Sequence, residues 1–114
     1  MAADCIFCKI AAGELPAKMV HETDEFVSFH DIDPKAPVHV LTIPRQHVAS
    51  LQDVSRDDES WLGRLMVHVS QLANRLELED GYRVVINTGA DGGQTVHHLH
   101  VHLLGGRSMQ WPPG

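Results

Sequence analysis

The chain has 114 residues, 43% of them hydrophobic, so we expect one domain over residues 1–114 with its own apolar core. The formal net charge is −6 with histidine neutral, which argues against broad electrostatic binding to nucleic acid or to an anionic membrane. Apolar runs stay below the ~18 residues of a membrane-spanning helix, and residues 1–9 lack a signal-peptide pattern. We therefore expect a cytoplasmic protein whose two cysteines do not form a disulfide.

The first half of the chain predicts one short helix and three strands. Asp4 is a suitable N-cap for a helix over about residues 5–12, and Gly13 ends that helix. The residues expected on its buried face are Ile6, Phe7 and Ile10. Short extended runs then predict strands over Met19–His21, Phe26–Phe29 and Val38–Ile43. In the third strand, alternation predicts one face with Val38, Val40 and Thr42 and the other with His39, Leu41 and Ile43.

The second half predicts a long helix followed by two strands. Ser55 with Asp58 resembles a capping box. Apolar residues then recur at three- and four-residue steps, which predicts a helix over about Asp57–Leu76. Its apolar stripe consists of Trp61, Leu62, Leu65, Met66, Val69, Leu72, Ala73 and Leu76. Strands are expected over Tyr82–Asn87 and Val96–Leu104. The order of elements predicts an α+β fold with a five-stranded antiparallel sheet, although the direction of the fourth strand stays open.

Three histidines, His98, His100 and His102, alternate with apolar residues, so an extended chain would place them on one face. At ~3.3 Å per residue, neighbouring members of this row lie about 7 Å apart and its ends about 13 Å apart. One ion with bonds of ~2.0–2.1 Å cannot easily hold all three. The spacing therefore predicts that the three histidines have more than one role.

The two cysteines, Cys5 and Cys8, have the C-x-x-C spacing of half a tetrahedral zinc site. Two histidines would have to complete the site, and the candidates are His47 and one member of the row. Alternatively, both cysteines are small buried hydrophobic residues of the first helix.

The row also fits covalent catalysis. A neutral imidazole is a nucleophile at pH 7, and a second imidazole can transfer a proton to a leaving group. Just upstream, the glycine-rich segment Gly89–Thr95 offers backbone N–H groups and a hydroxyl that could cradle an anion. A phosphate ester, anhydride or amide is the expected substrate class. The chain has no Walker lysine pattern and no carboxylate cluster for Mg²⁺. The alternative is an exposed histidine-rich strand without chemistry.

The segment His98–Leu104 resembles the H-x-H-x-H-x-x signature of the histidine triad (HIT) superfamily. The surrounding motifs resemble its nucleotide-binding protein branch: Phe29–Ile32, Ala36–His39, Ile43–Pro44, Gly92–Gln94, Leu104–Arg107 and the terminal Trp111–Gly114. This resemblance implies a homodimer in which two five-stranded sheets join into a ten-stranded sheet. It also implies cleavage of the P–N bond in purine nucleoside 5′-phosphoramidates, adenosine preferred. Aminoacyl adenylates are implied as a second class of substrate. The products are AMP or GMP and an amine.

By position, the resemblance makes His100 the nucleophile, with its other ring nitrogen bonded to a backbone carbonyl. His102 would contact the α-phosphate, and His98 and His39 would support the row. Nucleotide-binding positions carried over in the same way are Phe29, His30 and Ile32 for base and ribose, Asp31 for a ribose hydroxyl, Asn87, Gly93, Gln94 and Thr95 for the phosphate side, and Trp111 towards the partner subunit. The chain departs from many relatives at His97, where they have tyrosine, and at Thr95, where they have serine.

Some members of the superfamily hold zinc with residues at the positions of Cys5, Cys8, His47 and His98. The resemblance therefore implies a structural zinc ion here and no cofactor for catalysis. Three other interpretations stay open: a nucleotide-binding or interaction module with incidental hydrolysis, a zinc protein whose histidines serve only the ion, and a dinucleoside polyphosphate hydrolase.

Overall fold

The computed structural model describes residues 4–114. Its elements in chain order are α1 (Ile6–Ala11), β1 (Met19–Glu22), β2 (Phe26–His30), β3 (Val38–Pro44), α2 (Glu59–Arg75), β4 (Tyr82–Val85) and β5 (Val101–Gly105). The strands form one sheet in the order β1-β2-β3-β5-β4, and all neighbouring pairs are antiparallel. The predicted α+β fold with a five-stranded antiparallel sheet is confirmed. Within residues 4–114, no helix is long and apolar enough to cross a membrane.

Helix α2 covers one face of the sheet. A 3₁₀ turn over Arg56–Asp58 precedes it, and the Ser55 N–H donates to Asp58 Oδ2 at 2.8 Å in the predicted capping box. The helix buries Trp61, Leu65, Val69, Leu72 and Ala73 against sheet residues that include Val40, Val101 and Leu103. Met66, expected in the apolar stripe, is instead 40% exposed because it lies at the margin of that stripe.

Helix α1 lies on the opposite face, where Phe7 packs with Val27, Phe29, Leu41 and Ile43. The predicted division of β3 is confirmed, because Leu41 and Ile43 belong to this cluster and Val40 to the cluster under α2. The predicted cap by Asp4 is wrong. Cys5 is the N-cap, and its Sγ accepts the Cys8 N–H at 3.3 Å. Ile6, expected on the buried face, is 47% exposed because this six-residue helix buries the side that carries Phe7 and Cys8.

The fifth strand begins later than predicted. Residues 96–100 lie outside the strand ladder, whose last pairs with β5 are Thr42 of β3 with Val101 and Val85 of β4 with His102. Instead, the Leu99 N–H donates to the carbonyl of Val48, beyond the end of β3, at 2.7 Å. The alternation nevertheless persists, since Leu99, Val101 and Leu103 all pack under α2. The histidines between them therefore occupy the face of the sheet that carries α1.

Candidate active site

The three histidines of the row have separate partners, as their spacing predicted. His98 is fully buried, His100 is 6% exposed and His102 is partly buried. The rings of His100 and His102 are neighbours, with centroids 5.0 Å apart. His98 instead has a perpendicular contact with His47 at 5.0 Å. His98, at one end of the row, thus belongs to a cluster of cysteines and histidines. His102, at the other end, belongs to a group with His39 and Asp31.

The first cluster consists of Cys5, Cys8, His47 and His98, whose four ligand atoms lie within 4.8 Å of one another. His98 Nδ1 is 3.3 Å from Cys5 Sγ and 3.5 Å from Cys8 Sγ, and His47 Nδ1 is 3.3 Å from Cys8 Sγ. Tetrahedral zinc bonded to sulfur and nitrogen would place such atoms about 3.6 Å apart. His98 Nε2 donates to the carbonyl of Pro44 at 2.8 Å, which leaves the Nδ1 lone pair for the sulfur side. The donor set therefore fits zinc.

His100 presents one ring nitrogen as a potential nucleophile. Its Nδ1 donates to the carbonyl oxygen of His98 at 2.7 Å, so the neutral ring carries its proton on Nδ1 and a lone pair on Nε2. Burial lowers the pKa of His100, although the bond to the His98 carbonyl opposes this effect. The ring is therefore neutral near pH 7, which is the form that can attack phosphorus.

His102 has the opposite tautomer, and the reason lies in His39. The backbone N–H of Lys35 donates to His39 Nδ1 at 3.0 Å, so neutral His39 carries its proton on Nε2. That nitrogen is 2.9 Å from His102 Nδ1 and donates to it. His102 then holds its own proton on Nε2. Burial, together with His100 and His39, lowers the pKa of His102 to about 4.

Asp31 joins this chain, because its Oδ2 is 3.4 Å from His39 Nε2. Asp31, His39 and His102 thus bring three potential metal-ligand atoms together. However, the proton on His39 Nε2 leaves no lone pair there for a metal, so the group is better described as a hydrogen-bonded chain. The other Asp31 oxygen, Oδ1, accepts the Asp33 N–H at 2.8 Å and forms the turn between β2 and β3.

Around this turn, the predicted base and ribose residues differ in their exposure. Phe29 is buried and has a perpendicular ring contact with Phe7 at 5.5 Å. His30 is exposed, and Ile32 is 100% exposed. An aliphatic side chain so open to solvent, next to Asp31, is available to a ligand.

The glycine-rich loop after β4 is held by side-chain amides. Asn87 Nδ2 donates to the carbonyl of Gly92 at 2.7 Å. Gln94 Oε1 accepts the Gly89 N–H at 3.0 Å, and Gln94 Nε2 donates to the carbonyls of Ala49 and Val96 at 2.7 and 3.1 Å. In this conformation, Gln94 therefore fixes the loop with its side chain, and its predicted phosphate contact stays a prediction.

Part of the backbone of the same loop is engaged as well. The N–H groups of Gly93 and Gln94 donate to the carbonyls of Ala90 and Gly89, both at 3.1 Å. A Cβ at Gly92 would lie 2.2 Å from the Thr88 carbonyl oxygen, so this tight turn requires glycine. Thr95 is exposed, so its side chain lies open to solvent at the end of the loop.

Trp111 is 83% exposed, and within residues 4–114 no hydrogen bond or ring contact holds its side chain. The tail beside it is attached to β4, because Arg83 Nη2 donates to the carbonyl of Gln110 at 2.6 Å. Trp111 thus lies in a tail fastened to an edge strand of the sheet.

One residue of the site was missed by the sequence interpretation. Phe7 was expected only in the core, but its ring is perpendicular to that of His100, with centroids 5.1 Å apart and an interplanar angle of 87°. It also contacts His98 at 6.1 Å and 70°. The available signal was its position between Cys5 and Cys8, since a cluster formed by both cysteines and His98 must bring Phe7 to the row.

Comparison with known proteins identifies the family. Residues 12–109 match the HIT domain, and the chain therefore belongs to the HIT domain family. An uncharacterized HIT-like protein of Synechococcus elongatus is 51% identical over 114 residues, which is 100% of both chains. A HIT family hydrolase from Legionella pneumophila is 49% identical and superimposes with a TM-score of 0.96 over 97% of this chain and 100% of that chain.

A more distant structure bears on the cysteine and histidine cluster. A Zn-bound histidine triad family protein from Mycobacterium smegmatis is 31% identical, with a TM-score of 0.77 over 91% of this chain and 76% of that chain. The zinc bound by that relative is consistent with the fit of the four donor atoms to zinc here.

Proposed function

We propose that this protein is a phosphoramidase that hydrolyses the P–N bond of purine nucleoside 5′-phosphoramidates, adenosine preferred, and that it also hydrolyses the mixed anhydride of aminoacyl adenylates. One observation carries the proposal: the rings of buried His100 and partly buried His102 are neighbours, and their hydrogen-bond partners assign them opposite tautomers. His100 offers a lone pair at Nε2, while His102 offers a proton at Nε2. Covalent catalysis on a phosphorus centre needs this pair of complementary groups.

In the first step, the lone pair of His100 Nε2 attacks phosphorus, a nucleotidyl–histidine bond forms and the P–N bond to the amine breaks. The His102 Nε2–H donates a hydrogen bond to a phosphoryl oxygen or to the leaving nitrogen. The leaving nitrogen takes up one proton from solvent, because neutral His102 keeps its Nε2 proton and supplies only a hydrogen bond. In the second step, water attacks phosphorus, the bond to His100 breaks and water gives up one proton, so the two steps balance to hydrolysis. AMP or GMP and the amine are released.

Zinc at Cys5, Cys8, His47 and His98 would have four protein ligands and no open position for substrate. When bound, it would supply structural stabilisation. Neither step above requires the ion, so we propose zinc as a structural component and assign the chemistry to histidine.

We also propose the homodimer. Strand β4 is at the edge of the sheet, and its Tyr82 and Val84 are 42% and 39% exposed. An edge strand with half-exposed apolar residues is a template for pairing with a second copy. Two copies joined along β4 would give ten strands, and the tail with Trp111, fastened to β4, would then lie beside the partner.

The deciding experiment compares cleavage of adenosine 5′-monophosphoramidate with cleavage of a dinucleoside polyphosphate by the purified protein. We expect the phosphoramidate to be the better substrate by kcat/KM. A preference for the polyphosphate would make the dinucleoside polyphosphate hydrolase the correct assignment. Binding of AMP without turnover of either compound would favour a nucleotide-binding module.

The nucleophile is tested with His100→Gly. This variant should bind AMP but lose turnover, and its mass spectrum after mixing with substrate should lack the nucleotidyl adduct that the wild type forms. His97→Gly is the matched control, because His97 is an exposed histidine of the same segment. Full turnover by His100→Gly would refute the assignment of the nucleophile.

A further inference from the structure

We infer that Phe7 is a positioning residue for the His100 nucleophile. The kinetic part of this inference rests on the proposed function, whereas its structural part does not. The idea starts from a limitation of the hydrogen bond between His100 Nδ1 and the His98 carbonyl. A single bond fixes which edge of the imidazole meets the carbonyl, but the ring can still rock about that contact.

Aromatic neighbours restrict this motion. Among residues 4–114, the rings in contact with His100 are those of Phe7 and His102, at 5.1 and 5.0 Å. Phe7 is 6% exposed, and its own ring is held by a perpendicular contact with Phe29 at 5.5 Å. A perpendicular contact between two buried rings favours one relative orientation and leaves little room for others. Phe7 therefore defines the tilt that the His100 hydrogen bond leaves undetermined.

Phe7 is itself fixed because both ends of α1 are fastened. At the start of the helix, the sulfur atoms of Cys5 and Cys8 lie 3.3 and 3.5 Å from His98 Nδ1. At its end, Arg45 Nη1 donates to the carbonyl of Ala11 at 2.7 Å. A helix of six residues is not stable alone, so these attachments determine where Phe7 lies.

Helix α1 thus influences the position of the His100 ring through two sets of contacts, here called routes. The first runs through the side chain of His98 to its carbonyl oxygen and on to His100 Nδ1. The second is the ring of Phe7. Zinc in the cluster would hold both His98 and the start of α1, and would therefore restrict the motion of the His98 carbonyl and of the Phe7 ring. This arrangement gives the cysteine and histidine cluster a role in catalysis without contact between the metal and the substrate.

The test uses the metal-loaded protein with Phe7→Ala, Phe7→Leu and the control Val27→Ala. Val27 is fully buried in the same cluster, and its strand β2 is separated from β5 by β3. Single-turnover formation of the nucleotidyl adduct at saturating substrate should slow about 10- to 100-fold in Phe7→Ala, because small misplacement of a nucleophile has effects of that size. Phe7→Leu should recover part of the rate, and Val27→Ala should stay close to the wild type.

A second measurement is independent of turnover. In ¹⁵N-histidine NMR spectra, the hydrogen-bonded Nδ1–H signal of His100 should shift or broaden in Phe7→Ala and in metal-stripped wild type, but not in Val27→Ala. If Phe7→Ala does not fold, Phe7→Leu decides both readouts. Adduct formation at the wild-type rate with an unchanged His100 signal would overturn the inference, as would equal effects in Val27→Ala. Inactive wild type would refute the proposed function, and the NMR comparison would still test Phe7.

Discussion

Replacement of His39 tests the origin of the two tautomers. Its Nδ1 accepts the Lys35 N–H, and its Nε2 donates to His102 Nδ1 at 2.9 Å. In glutamine, the terminal amide nitrogen lies at the same number of bonds from the backbone as Nε2 of histidine. In asparagine, the terminal atoms correspond to Nδ1. His39→Gln can therefore still donate to His102, whereas His39→Asn cannot.

The expected size of the effect follows from the bond that is lost. Without a donor from position 39, the productive tautomer of His102 leaves a buried Nδ1 acceptor unsatisfied, which costs about 1–3 kcal/mol. At ~1.4 kcal/mol for each factor of ten, kcat should fall about 5- to 150-fold in His39→Asn. His39→Gln should lose much less activity.

The assay measures kcat with adenosine phosphoramidates whose leaving amines differ in basicity. More basic amines are poorer leaving groups and depend more on the hydrogen bond from His102 Nε2–H, so the difference between the asparagine and glutamine variants should grow with amine basicity. Equal activity of the two variants, or a difference that does not depend on the amine, would refute the assignment of the tautomers. Thermal unfolding of both variants controls for loss of the folded state.

Two further predictions concern stability and assembly. Burial lowers the pKa of His102 to about 4, from an ordinary value near 6.5. Below pH 6.5 the unfolded chain therefore binds a proton that the folded protein does not, and stability should fall as the pH drops from 6.5 towards 4. Urea unfolding across this range should show that decline, with a shallower slope in His102→Gln; an identical slope would contradict it. Val84→Lys places a charge on the β4 edge and should shift sedimentation from dimer to monomer, whereas Val84→Thr should not; a dimeric lysine variant would place the interface elsewhere.

The parts of the fold that sequence predicted best are those with a long repeating pattern. The stripe of α2 recurs over four turns, and its capping box is formed by the predicted residues Ser55 and Asp58. The start of β5 was harder to predict. Hydrophobic alternation indicates which face of the chain a residue occupies, but it does not indicate whether a neighbouring strand pairs with that residue. Leu99 alternates correctly and yet bonds to the Val48 carbonyl in a loop.

The part of the candidate site that could be predicted is the division of roles among the three histidines, because their spacing along a strand prevents them from binding one ion together. The distances along the histidine row implied several roles, and His98 does share a cluster with Cys5, Cys8 and His47. The bond from His100 Nδ1 to a backbone carbonyl was implied by the resemblance. The other contacts that fix proton positions were not predictable, because they involve backbone atoms whose location depends on the tertiary fold. No sequence pattern indicates that the Lys35 N–H bonds to His39 or that the Pro44 carbonyl bonds to His98. For the same reason, the side chain of Gln94 could not be recognised as a loop support.

The backbone origin of both tautomers affects how the protein tolerates mutation. The carbonyl that orients His100 belongs to residue 98 and persists whatever side chain stands there. The N–H that orients His39, and through it His102, belongs to residue 35 and is removed only by proline. As long as His39, His100 and His102 are kept, substitutions elsewhere can therefore alter the shape of the pocket while the backbone continues to determine which ring nitrogens carry a proton. Such a site can diversify in specificity without losing its chemistry.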